Sequence, residues 1–239
     1  MFFFQVIGEA IRNSPSPNKE VGEMIHRKDS KAEVLRALLS KWQDNMKEPI
    51  IRTYGTFCLE QSGLARFRFL LLIEALEGEY NSIHKTEIET GKQENQRKAK
   101  ELLTKLNELF KKDDINILKS QDRKNIKRAI KSSQRYKTLA CKLRALSDTK
   151  PWIKEELAKD QTIKSVIEQR GQKGYDMFDA LATIRNWLSH GDKEDMGDGF
   201  PNLVNIVEGW CRSTLFEVLD APKEIIQQVS DFHGWRPAR

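Results

Sequence analysis

The chain has 239 residues with 41 Lys and Arg against 35 Asp and Glu, giving a formal charge of +6 and a pI near 9.1. That length suits one sizeable domain or two small ones, and a mean hydropathy of −0.63 with 38% hydrophobic and 32% charged residues excludes a membrane protein in favour of a charge-rich helical one. The longest apolar run, around Phe67 to Leu76, is broken by Arg68 and Glu74, and the opening Met1 to Ile7 meets Glu9 too soon for a secretory leader, so a cytoplasmic location is expected.

Helical periodicity dominates, strand-like alternation is almost absent, and the expected fold class is all-α. Ser14-Pro15-Ser16-Pro17 sets residues 1–18 apart as an arm. Ser30-Lys31-Ala32-Glu33 reads as a capping box opening a helix with Val34, Leu35, Leu38, Leu39, Trp42 and Met46 on one face, ended by Pro49. A helix from about Leu59 to Tyr80 is apolar nearly all round at Phe67 to Ile73 and is the expected core helix. A polar stretch over 87–96 precedes a helix carrying Leu102, Leu103, Leu106, Leu109 and Phe110. Two helices fill 114–147, another starts near Pro151, and Gly171 to Gly174 form a loop before the next helix. Pro201 suits the first position of a helix whose apolar face is Leu203, Val207, Trp210, Thr214 and Val218, and Pro222 opens a short last helix before the tail 235–239.

The helix after Gly174 carries the chemistry. Arg185-Asn186-Trp187-Leu188-Ser189-His190-Gly191 puts an arginine, an amide and a histidine within a turn and a half. Histidine can take or give a proton near neutral pH, whereas arginine stays charged and can only hold a phosphate, so metal-free RNA cleavage needs both. Met177, Leu181, Ile184 and Leu188 share the core-facing stripe, while Asp179, Thr183, Asn186 and His190 form a polar row opposite. Arg185 and His190 are about 140° apart on an ideal helix, and converge only if the last turn loosens before Gly191. The row reads equally well as a solvated face. No metal or other cofactor is expected. Cys58, Cys141 and Cys211 are too widely spaced for a zinc site, and the acidic loop 192–199 lacks the offsets of an EF-hand.

Positive charge concentrates between 119 and 144, with Lys119, Arg123, Lys124, Lys127, Arg128, Lys131, Arg135, Lys137, Lys142 and Arg144. Such an edge attracts a polyanion without reading its sequence. Arg123, Lys124, Lys127, Arg128, Lys131 and Arg135 are the expected RNA-binding residues.

Arg185-Asn186-x-x-x-His190 resembles the signature of the HEPN superfamily, small helical domains that include metal-independent ribonucleases of toxin–antitoxin, abortive-infection and CRISPR systems. Arg66 to Glu77 is similar to the Phe-Leu-x-Leu-x-x-Ala-Leu-Glu helix of the ApeA-like HEPN domain of phage defence, and Tyr136 to Leu146 stands where that family has its middle Leu-rich helix. The likeness runs over roughly 57–219, with Trp187 departing from the family's tyrosine-rich variant. It implies a HEPN-type helical domain at 57–239, with residues 1–56 as an N-terminal arm and helix where the family carries an upstream β-rich domain. It also implies Arg185, Asn186 and His190 as catalytic residues, with Glu77 placed to orient or pair with Arg185; Asp179 and Thr183, which share the polar row of the motif helix, are expected to support the site.

The expected function is therefore a metal-independent endoribonuclease of anti-phage defence or abortive infection, acting on RNA, tRNA among the candidates. His190 is the expected general base or, by reversibility, general acid, Arg185 the phosphate clamp and Asn186 a donor that orients the histidine or the phosphate. One histidine leaves a second proton transfer unassigned, which a homodimer through the motif helix would supply, and a regulatory partner would keep such a nuclease silent. The alternative is a catalytically silent helical module that binds nucleic acid or a partner protein.

Overall fold

The apolar run at Phe69 to Leu76 organises the molecule around one helix. The computed structural model describes residues 30–59, 64–111, 120–132, 137–191, 196–223 and 226. Among the described residues it contains ten helices and no strand: α1 (Ser30–Asp44), α2 (Pro49–Leu59), α3 (Ala65–Ile83), α4 (Lys85–Lys111), α5 (Ser120–Ser132), α6 (Leu139–Ser147), α7 (Pro151–Lys159), α8 (Gln161–Arg170), α9 (Met177–His190) and α10 (Phe200–Val218). The fold is all-α, and no described helix is long and apolar enough to cross a membrane.

α3 is the hub, packing against α2, α6, α9 and α10. It buries Phe69, Leu72, Ile73, Ala75, Leu76 and Tyr80. α2 approaches closely because Gly78 has no side chain; a Cβ there would stand 2.7 Å from that of Pro49. α10 buries twelve of its nineteen residues, Trp210 among them, and is the second internal helix. Arg68 of α3 donates to Glu208 of α10 at 3.0 Å, and the Cys211 thiol lies 3.3 Å from the Leu72 carbonyl. α9 fits between α3, α6 and α8, burying Leu181, Ile184 and Leu188 as its stripe predicts. Phe69, Leu72 and Ile73 of the expected core helix and Leu181, Ile184 and Leu188 of the stripe are buried, whereas Phe67 is exposed and Met177 half-buried.

Several boundaries differ from expectation for physical reasons. α1 stops at Asp44, leaving Met46 exposed, and Pro49 starts α2, where its missing N–H costs nothing. The core helix begins at Ala65, since Leu59 closes α2. The boundary expected after residue 56 falls inside α2, whose Ile50, Ile51 and Tyr54 lie in the common core. The polar stretch 87–96 is helical throughout, part of a 27-residue α4. Glu, Lys, Gln and Arg are good helix formers and need no apolar stripe to continue a helix already begun. The segment after Pro151 is two helices. Asp160 divides them, its carboxylate accepting the Ile163 N–H at 3.1 Å and the Asn202 amide at 2.9 Å. The helix expected at Pro222 lies mostly outside the described residues.

α4 and α5 pack chiefly on each other. Among the described side chains of α4 only Ile88, Gly91 and Ala99 are buried, and Leu102 and Leu109 are exposed. α4 carries seven Lys and Arg against five Glu, α5 five against one Asp, an excess of two and of four that together equals the +6 of the whole chain. Beyond α5, the described residues of the expected basic edge are engaged in structure, whereas Lys119 and Arg135 lie outside the described residues. Lys137 donates to Tyr80 and Glu87, both at 2.8 Å, and the Glu87 bond first, then the Tyr80 bond, raises its pKa well above the usual lysine range. Lys142 pairs with Glu77 at 2.6 Å, and Arg144 with Asp176 at 2.7 Å.

Candidate active site

The motif helix is anchored first at its start. The Asp176 carboxylate accepts the N–H groups of Phe178 (2.9 Å) and Asp179 (3.1 Å), while Asp179 accepts the Asp176 N–H at 3.2 Å, which makes a reciprocal capping box. Arg144 of α6 donates to Asp176 through Nε at 3.0 Å and Nη2 at 2.7 Å, and stands 5.6 Å over the Phe178 ring. Burial alone would push the Asp176 carboxyl up; the Arg144 guanidinium and the backbone N–H bonds outweigh it and hold the pKa below its ordinary value. The Tyr175 hydroxyl donates to Thr183 Oγ1 at 2.5 Å. Asp179 and Thr183, expected to support the site, therefore hold the first half of the helix in place. Glu77 pairs with Lys142 of α6 at 2.6 Å, so the expected Glu77–Arg185 pair is not formed.

The second half of α9 is left for chemistry. Gly191, at φ 73°, terminates the helix in the left-handed region and its N–H bonds the Trp187 carbonyl. The helix stays regular through His190, so the loosening expected to bring Arg185 and His190 together does not occur. Arg185 is half-buried and its Nη1 lies 3.4 Å from Asn186 Oδ1, while the Ser189 hydroxyl closes on the Arg185 carbonyl at 2.8 Å. Asn186 and His190, one turn apart, are both exposed, and His190 makes no hydrogen bond to a described residue. The outer face of this turn is thus open, with an amide and an imidazole side by side and the arginine at its edge.

Two arginines that sequence reasoning left out of the site converge on the same turn. Arg170, the last residue of α8, places its guanidinium 5.5 Å from the centre of the Trp187 ring. Arg66, in the first turn of α3, donates through Nη2 to the carbonyl of Leu188. Among the described residues Arg66, Arg170 and Arg185 have no carboxylate partner. Arg66 is 122 positions from its acceptor, a distance at which no local spacing pattern could reveal it.

The expected RNA-binding residues lie apart from this turn. Arg123, Lys124, Lys127 and Arg128 belong to α5, with Lys124 and Arg128 exposed; the Lys131 side chain and all of Arg135 lie outside the described residues. A groove of about 540 Å³ between α2, α3 and α4 contains none of the motif residues and mixes Lys47, Arg52, Lys85 and Lys92 with Glu48, Glu74 and Glu89. Among the described residues no cluster of three His, Cys, Asp or Glu could hold a metal. No family model, no curated protein and no solved structure matches this chain.

Proposed function

We propose that this protein is a metal-independent endoribonuclease with its active site on the last turn of α9, acting on cytoplasmic RNA in anti-phage defence or abortive infection. The observation that carries the reading is the exposed turn itself: His190 and Asn186 share its open face, Arg185 edges it, and none of the three is needed by the core. RNA supplies its own nucleophile. His190 takes the 2′-OH proton, the oxygen attacks the adjacent phosphorus, and the P–O5′ bond breaks to leave a 2′,3′-cyclic phosphate and a 5′-OH that must gain a proton. Arg185 offsets the charge growing on the non-bridging oxygens, and Asn186 orients the phosphate or the imidazole. The HEPN-like signature supports the defence role and the pairing of two α9 faces in a homodimer, which would bring the second histidine that reprotonates the leaving oxygen.

The rival reading is a helical module that binds nucleic acid or a protein without cutting. It draws on one observation: Arg185 reaches Asn186 and not His190. Incubation with total cellular RNA in EDTA separates the two. Cleavage products ending in cyclic phosphate, lost with His190→Ala or Arg185→Ala while the helical spectrum and melting are retained, are the expected result. RNA that is retarded but intact would favour the binding module, and EDTA-sensitive cutting that survives His190→Ala would overturn the mechanism.

A further inference from the structure

The last four carbonyls of a helix have no intrahelical donor, and a guanidinium placed there satisfies one of them while countering the negative end of the helix dipole. Arg66 does this for Leu188, two residues before His190. Its Nε is enclosed and without a partner. Nη1 makes no hydrogen bond to a described residue, and the side chain is only half-buried. One edge of a planar, permanently charged fork is thereby fixed against the motif helix, and the opposite nitrogen is left available beside the exposed turn that carries Asn186 and His190. A guanidinium with no carboxylate partner whose rotamer is already fixed loses little entropy on taking an anion. Three such guanidiniums, from α3, α8 and α9, around one turn are more than a single scissile phosphate requires. They suit a strand whose neighbouring phosphates must also be held.

From this geometry we infer that Arg66 is a phosphate-binding residue of the site, holding an RNA phosphate through Nη1 while its Nη2 bond to Leu188 fixes it relative to His190. The inference rests on the ribonuclease reading for its ligand but is testable without cleavage. The probe is a single-stranded 2′-O-methyl oligoribonucleotide, which keeps the phosphates and cannot be cut. Arg66→Gln retains an amide donor for the Leu188 carbonyl and removes the charge. Its affinity should fall about tenfold, and the slope of log affinity against log salt should become shallower by about one phosphate contact. Arg66→Lys should restore the slope. In the unaltered protein the same oligonucleotide should protect Arg66 from butanedione modification, read by peptide mass, a measurement independent of how the variants fold. Unchanged affinity and slope in a folded Arg66→Gln, or no protection, would reduce Arg66 to a helix cap. If the wild type cleaves RNA while Arg66→Gln binds and cleaves as well as it does, this inference falls alone. If the slope and protection change as expected but nothing is cleaved, the ribonuclease reading falls and Arg66 remains a phosphate ligand.

Discussion

Glu79 carries a carboxyl oxygen, Oε2, that the core encloses without a hydrogen-bond donor. Burial, reinforced by Glu48 and Glu217 and opposed by Lys150, pushes its pKa from 4.5 up to about 7. The folded chain therefore keeps this proton over a range in which the unfolded chain has lost it. Stability from the group is fully present below about pH 4.5 and is lost as pH rises through about 7. At roughly 1.4 kcal/mol per pH unit, the ionised group costs about 3 kcal/mol above that range. Glu79→Gln should be more stable than the wild type at pH 8 and should flatten the dependence between pH 5 and 8 in urea titrations. Parallel curves for the two proteins would mean that the carboxyl ionises without penalty. The contrast with the motif is informative. Asn186 and His190 are exposed, whereas Glu79 is a carboxyl enclosed in the core, far along α3 from Arg66.

At the scale of the helix, α9 divides into a half that holds and a half that is presented. The capping box and the Arg144 bonds secure its start, and Leu181, Ile184 and Leu188 are fully enclosed along its length. Ile184→Ala should cost about 2–4 kcal/mol through the cavity it leaves, measured by chemical denaturation. A loss of only a few tenths would mean that α9 does not hold its position against α3. This stripe was legible in the sequence because burial repeats with the helical period, and so were the ends at Gly171 and Gly191, where only a left-handed residue fits. α4 was legible in its second half alone: its first half is rich in Glu, Lys and Gln and buries Ile88 as its one large apolar side chain, so it has no apolar rhythm to read. The division at Asp160 was missed because a capping aspartate between two short helices looks like any polar residue in one long helix. Of the site, the motif residues could be found from chemistry and spacing, whereas Arg66 and Arg170 come from other helices and become part of it only through tertiary packing. Asp179 and Thr183 share the polar row of the motif by geometry, but Asp176 and Tyr175 engage them.

Across the whole molecule, charge and chemistry are separated. The excess positive charge equals that of α4 and α5 together, while the candidate catalytic turn lies on the α3, α6, α8, α9 body. Reversing Lys124, Lys127 and Arg128 together should weaken RNA binding for all sequences and reduce its salt dependence, while the chemistry of bound substrate is left intact. A triple reversal that binds normally at low salt would make α5 a solvated face and nothing more. The separation also bears on how one histidine per chain can complete a reaction that moves two protons. The outer face of α9, with Asn186, Ser189 and His190 exposed, is not covered by any described helix, so two copies could set these faces together and pair their histidines. Mixing His190→Ala chains into wild type then tests the arrangement. If each cleavage uses both histidines, a heterodimer is inactive and activity should fall as the square of the wild-type fraction, to about a quarter at equal mixing. A fall to half would mean that each chain cuts alone, in which case the proton for the leaving oxygen has to come from water and the open face of α9 serves substrate, not a second copy.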